Sequence, residues 1–272
     1  MVVAYHGAKF RGFAAQPGVR TIAGDLGKAI ERVVRHRVEL TCAGRTDAGV
    51  HGWGQVVHFD VEADDPSGLD LEALQRSCNK MLGPEIVVRH TDIGPTGFDA
   101  RRQATERTYR YTILNTPTAD PFLASTTWHI EAPLDLGGMR LACDPLYGEH
   151  DFASFCRKPP AAEASLVRIL RRAEWNDVGD GLLRFEVAAS SFCQQMVRAL
   201  VGTMVDVGLG RKRAGEMAGI LRAGDRSRAG QLAPPHGLCL WGVTYPDFSS
   251  TLPGFAPLNP SRADGDVTAS AS

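Results

Sequence analysis

The chain has 272 residues, with 30 Lys and Arg against 31 Asp and Glu, so its formal charge is −1. Its composition, 43% hydrophobic and 22% charged, is that of a folded globular protein and excludes disorder over most of its length. No apolar run approaches the roughly 18–20 residues of a membrane span, and the start lacks the basic end, apolar stretch and cleavage site of a signal peptide; soluble and cytoplasmic is the expectation.

The predicted elements of the first half run β-α-β-β-α-β. A strand at Val2–Tyr5 precedes a helix at Ile22–His36, with Ile22, Leu26, Ile30, Val33 and Val34 on one stripe. Strands follow at Val38–Cys42 and Gln55–Val61. A second helix, Leu69–Leu82, turns Leu71, Leu74, Cys78 and Met81 inward, and a strand at Glu85–Thr91 closes the unit. The second half repeats the order. Strand Thr105–Asn115 and helix Asp135–Leu146 precede strands Val167–Asn176 and Leu182–Ala188, which flank a hairpin turn at 178–181. Helix Phe192–Val207, a short helix Ala214–Arg222 and a last strand Leu238–Tyr245 complete it.

The fold class this implies is α+β: two pseudo-symmetric split β-α-β halves, ferredoxin-like or RRM-like, with mainly antiparallel sheets, leaving the other sheet face or the groove between the halves free for a ligand. The halves are 1–102 and 103–247, and 248–272 read as a mostly unstructured tail rich in Pro, Ser, Gly, Ala and Asp.

Six cysteines are scattered singly, with no Cys-x-x-Cys pair and no His at ligand spacing, so buried free thiols are expected rather than a disulfide framework or a metal site. The basic charge is 25 Arg to 5 Lys, much of it clustered: Arg101, Arg102, Arg107 and Arg110, then Arg168, Arg171 and Arg172, then Arg211, Lys212 and Arg213. Arginine suits bidentate contact with phosphate and stacking on bases. Each cluster reads equally well as a solvated face balanced by acids.

The densest signal is AGRTDAGVHGWGQVVHF, residues 43–59, read as a glycine-rich loop held between two strands. Its glycines permit close approach to a ligand. Asp47 is a carboxylate that can serve as nucleophile or base, and Arg45, two residues away, offers it a cationic neighbour. The same spacing fits an Asx-turn beside a surface arginine.

Taken whole, Cys42–His51 (CAGRTDAGVH) resembles the signature of the tRNA pseudouridine synthase A family. The resemblance continues in order through GQVVHF (54–59), FDARRQAT (98–105), RTYRYTILN (107–115), GEHDFASF (148–155), MVRALVGTMVDVGLG (196–210) and GLCLWGVTYP (237–246), covering nearly all of residues 1–246. It implies isomerisation of uridine to pseudouridine at positions 38–40 of the tRNA anticodon stem-loop, without cofactor or metal, by a homodimer with an active cleft between the two halves of each subunit. Asp47 matches the family's catalytic aspartate and Arg198 the arginine that pairs with it. Tyr109 matches the substrate-stacking tyrosine and Arg45 the arginine at the flipped nucleotide, and Leu238 is a candidate for the apolar wall. Tyr111 reads as packing and His51 as a brace. Two departures, His6 where the family opens Tyr-Asp-Gly and Ala23 where its first helix carries glutamine, touch none of these residues. The competing class is a non-catalytic RNA-binding protein on the same scaffold.

Overall fold

The computed structural model describes residues 1–61, 69–158 and 165–251. In chain order the elements are β1 (Val2–Tyr5), α1 (Ile22–Val34), β2 (Thr41–Cys42), β3 (His51–His58), α2 (Leu71–Leu82) and β4 (Ile86–His90). They continue with β5 (Glu106–Leu114), β6 (Trp128–His129), α3 (Leu136–Leu141), β7 (Gly148–Asp151) and β8 (Val167–Asp177). β9 (Leu182–Ala189), α4 (Met196–Gly208), α5 (Glu216–Ala223) and β10 (Leu238–Thr244) complete the chain.

Capping explains several boundaries. The Thr21 hydroxyl accepts the Gly24 amide at the start of α1, and Arg35, left-handed at φ 64°, ends it. Asp70 caps α2 in the same way through the Ala73 amide. The hairpin between β8 and β9 turns through Gly179, Asp180 and Gly181, all at positive φ, as the sequence anticipates. Helix 135–146 is shorter than expected: it breaks after Leu141 into a 3-10 turn at Asp144–Leu146, where Pro145 supplies no amide for a continuing helix.

Strand order is β4-β1-β3-β10-β5-β9-β8-β7, with β2 on β3 and β6 on β5, forming one ten-stranded sheet. The pairings are antiparallel except β10 with β3 and β5 with β6. The β3–β10 ladder, with Cys239 opposite His51 and Leu240 opposite Gly52, joins strands from residues 1–102 to strands from 103–247. This mixed α+β architecture agrees with the expected class.

Two apolar cores lie on this sheet. Val3, Tyr5, Val57, Ile86 and Val88 pack against Leu26 and Ile30 of α1 and Leu74 and Cys78 of α2. Leu26 and Ile30 are fully buried; each such side chain stabilises the fold by about 1.5–3 kcal/mol. Met81, expected to point inward, is instead 40% exposed because the last turn of α2 borders a surface groove with Arg20 and Arg32. In the larger core Tyr111, Ile113, Trp175, Phe185 and Val187 meet Leu200 and Met204 of α4.

α4 is buried on more than the expected single stripe. The segment leading to β10 crosses its far side: the Ala233 amide donates to the Arg198 carbonyl at 3.1 Å and the Gly230 amide to Thr203 Oγ1 at 2.8 Å. A Cβ at Gly202 would collide with the Gln231 carbonyl, so glycine is required where the two segments touch. Of the expected tail, residues 248–251 are held in place: Phe248 stacks on Tyr245 with centroids 4.5 Å apart, and buried Ser250 donates to the Gly54 carbonyl. The remainder of that stretch lies outside the described residues. No helix among the described residues is long and apolar enough to cross a membrane.

Candidate active site

A cleft of about 1220 Å³ runs between α1, the 43–50 loop, β5 and the start of α4. Asp47, Arg45, Tyr109, Arg198 and Leu238 all line it. They come from four separate stretches of chain, and only tertiary structure brings them together.

The loop carrying Asp47 is shorter than the sequence suggests, because β3 begins at His51 and takes up the second half of the glycine-rich stretch. Its conformation is braced from beneath. Gln55, fully buried, donates from Nε2 to the Gly44 carbonyl at 2.6 Å, while its Oε1 accepts the Gly44 amide at 3.3 Å. Tyr5 and Thr46 share a hydroxyl hydrogen bond of 2.8 Å, and the Phe13 amide donates to the Thr46 carbonyl at 3.0 Å. The Val50 amide closes the turn onto the Asp47 carbonyl at 3.1 Å, and Gly49, at φ +80°, supplies the conformation the turn requires. Tyr5 and Gln55 were not singled out from the sequence. The alternation of β3 could have flagged Gln55, since a polar residue among buried neighbours needs a partner.

His51 is a brace, though of three turns remote in sequence rather than of the loop that carries Asp47. Its Nδ1 accepts the Gly7 amide at 3.1 Å, and Nε2 lies 3.1 Å from the Ser125 carbonyl and 3.0 Å from that of His236. Burial and the adjacent His6 ring push its pKa down to about 4. The imidazole is therefore neutral, with its proton on Nε2.

Tyr109 is 8% exposed, and the edge of Phe192 meets its ring at 85° with centroids 5.1 Å apart. Burial pushes its phenol up, with the Arg107 charge opposing and Asp47 reinforcing the shift. The hydroxyl is thus protonated at neutral pH. Tyr111 is fully buried and donates to the Pro234 carbonyl at 2.9 Å, as a packing residue should.

Arg198 sits near Asp47 without forming a direct ion pair among the described residues. Its Nε donates to the Ala233 carbonyl at 2.7 Å; burial lowers its pKa and the Asp47 charge raises it. The direct polar contact to Asp47 comes from Gln194, whose Nε2 donates to Oδ1 at 3.4 Å. Gln194 lies in the segment 191–195 that also carries Phe192 and Cys193.

Cys193 forms a disulfide with Cys156, Cα atoms 5.8 Å apart, which corrects the expectation of six free thiols. The partners are 37 positions apart, so their spacing carries no sign of the pairing. Cys42, Cys78, Cys143 and Cys239 are free. Among the described residues no group of three or more His, Cys, Asp or Glu gathers in a way that could hold a metal ion.

The arginine clusters disperse once the sheet forms. Arg107 is buried beneath the cleft, while Arg110, three residues on along the same strand, emerges on the opposite sheet face. There it packs on Trp241, 3.9 Å from the ring centroid, and pairs with Glu186 at 2.6 Å. Arg172 also pairs with Glu186, Arg171 with Glu106 and Arg211 with Asp206. Of the three clusters only Arg101, Arg107 and Arg168 line the cleft, joined by Arg11, Lys28 and Arg45 from elsewhere.

Comparison with known proteins gives this geometry a lineage. A sequence model of the tRNA pseudouridine synthase family matches residues 142–246. The chain is 36% identical to tRNA pseudouridine synthase A of Bacillus subtilis over 245 residues, covering 89% of this chain and 97% of that protein. It is 43% identical to tRNA pseudouridine synthase A of Frankia casuarinae over 246 residues, covering 90% and 88% respectively. At such identity over nearly the whole length of both partners, the chain belongs to the tRNA pseudouridine synthase A family.

Proposed function

We propose that this protein is a cytoplasmic isomerase that converts uridine to pseudouridine at positions 38–40 of the tRNA anticodon stem-loop, with Asp47 as nucleophile and no cofactor or metal. It acts as a homodimer, each subunit built from two pseudo-symmetric halves, residues 1–102 and 103–247. The observation that carries the reading is the convergence of Asp47, Arg45, Tyr109, Arg198 and Leu238 on one cleft.

The reaction breaks the bond between ribose C1′ and uracil N1, turns the base, and joins C1′ to C5. The C5 proton is lost and N1 gains one. Asp47 holds the nucleotide covalently while the base turns. The target uridine reaches the carboxylate only when flipped from the stem-loop, which needs a stacking surface and an apolar wall. Tyr109 and Leu238 provide these. A protonated phenol suits stacking and hydrogen-bond donation better than proton abstraction, so Tyr109 is assigned to binding the base. Arg45, exposed at the mouth, holds the flipped nucleotide's phosphate, and Arg198 balances the Asp47 charge.

The test is tritium release from tRNA labelled at uracil C5, with wild type beside Asp47→Ala. Release by wild type alone supports the isomerase and its nucleophile. Release by neither, with tRNA still bound, leaves a non-catalytic RNA-binding protein.

A further inference from the structure

Arg107 is the one charged residue buried to 8% exposure beneath the cleft, and it faces no carboxylate at ion-pair distance among the described residues. A buried guanidinium is stable only when its donors are satisfied. All five N–H groups are: Nε and Nη2 donate to the Ala43 carbonyl at 3.3 and 3.0 Å, and Nη2 also to that of Arg101 at 2.6 Å. Nη1 donates to the carbonyls of Ala104 and Ser190 at 2.9 and 2.7 Å.

These acceptors are not a random set. Ala43 immediately precedes the loop that carries Arg45 and Asp47. Ser190 immediately precedes the segment that carries Phe192, Cys193 and Gln194 and leads to Arg198. Arg101 and Ala104 belong to the connection between the two stretches of sheet, and Arg101 itself lines the cleft. Arg107 stands two residues before Tyr109 on the same strand face. One side chain therefore ties together the roots of the Asp47 loop, the 191–195 segment and the 101–104 connection on the strand that carries Tyr109.

We propose that Arg107 is a positioning residue for the isomerisation: its planar five-donor fork holds the Asp47 loop, the 191–195 segment and the connection at 101–104 in register with Tyr109. The assignment rests on Asp47 being the reacting group. Lysine cannot replace it, because three N–H groups on one nitrogen cannot reach four carbonyls spread around a guanidinium plane. Displacing a reacting group by about 1 Å costs on the order of a hundredfold in rate. A loss of this kind falls on kcat, since the tRNA phosphates are met by other residues.

The test compares Arg107→Lys with wild type, with Arg107→Met as the harsher change; if the methionine variant does not fold, the lysine variant carries the test. Steady-state tritium release is measured beside amide hydrogen exchange of the unliganded proteins. The expected result is a kcat lowered at least about tenfold, a KM for tRNA within about threefold of wild type, and faster exchange at both 44–48 and 191–195. A kcat within threefold of wild type overturns the proposal, as does a loss of kcat with unchanged exchange in both segments. Wild type that releases no tritium overturns the functional reading instead, and the exchange data still report whether the clamp exists.

Discussion

Gln194 and Asp47, 147 positions apart, meet through a 3.4 Å hydrogen bond from the amide Nε2 to the carboxylate Oδ1. The contact closes the 191–195 segment over Asp47, just as Phe192 of the same segment closes over Tyr109. The segment is secured on its other side by the Cys156–Cys193 disulfide and by the Arg157 amide, which donates to the Gln194 carbonyl at 2.9 Å. Gln195 follows at φ 68°, a left-handed conformation that favours glycine or asparagine, before α4 begins. Under the proposed role of Tyr109, a uracil stacking on its ring would displace the Phe192 edge and shift this segment.

Tyr109 separates packing from hydroxyl chemistry. Its ring is buried against Phe192, while its hydroxyl has no hydrogen-bond partner among the described residues. Tyr109→Phe should leave urea stability within about 1 kcal/mol of wild type and reduce tritium release by less than about tenfold. Tyr109→Ala should cost about 3–5 kcal/mol and nearly all turnover. Equal losses of turnover in the two variants would assign the hydroxyl a role in proton transfer.

The cations lining the cleft predict the salt dependence of tRNA binding. Arg11, Lys28, Arg45 and Arg101 line the cleft with no carboxylate partner among the described residues, whereas Arg168 donates to the Ser165 and Val167 carbonyls and Arg110, Arg171, Arg172 and Arg211 are paired with carboxylates. A plot of log Kd against log salt should therefore show a slope of magnitude about 2–5. Arg101→Ala should reduce that slope by about one, and Arg211→Ala should leave it unchanged. Filter binding at several salt concentrations reads both.

His51 makes the fold acid-sensitive. Its folded pKa of about 4 lies below the ordinary 6.5, so between these values the unfolded chain binds the extra proton and the native state does not. Stability is complete above about pH 6.5, falls as the pH drops toward 4, and levels off below, for a total of about 3 kcal/mol. Protonation of Nδ1 would also remove the acceptor for the Gly7 amide. Urea midpoints measured across this range should show the decline in wild type and a flatter profile in His51→Gln.

The disulfide predicts a thiol count. Denatured without reductant, the protein should titrate four thiols, from Cys42, Cys78, Cys143 and Cys239; after reduction it should titrate six. Cys193→Ser should give five without reductant, because Cys156 is then released. Six thiols in the unreduced protein would show that Cys156 and Cys193 are unpaired as purified.

Much of the architecture is legible in the residues because it is set locally. The stripe of α1, the alternation of β5 and the positive-φ turn between β8 and β9 depend on neighbours within a few positions. Errors arise where a distant segment intervenes. β3 starts earlier than expected because its glycines are pressed against neighbouring strands: a Cβ at Gly52 would strike the Tyr5 ring, and one at Gly54 the Trp241 carbonyl. Trp53 and Trp241 pack on each other across β3 and β10, at 5.8 Å between centroids, although neither sequence context hints at the other.

The sequence by itself determined the order of elements, the family resemblance and the chemical types at the site: a carboxylate on a glycine-rich turn, a tyrosine on a strand, an arginine on a helix. Tertiary structure alone decided which arginines face the cleft and which are neutralised by acids on neighbouring strands. It also decided that Gln194 rather than Arg198 touches Asp47, that Cys193 meets Cys156, and that Arg107 lies beneath the site instead of on a docking surface. The physical reason is range. Propensity and periodicity act over a turn or a strand, whereas charge pairing, desolvation and disulfide geometry depend on distances that exist only after the sheet has brought remote strands within a few ångströms.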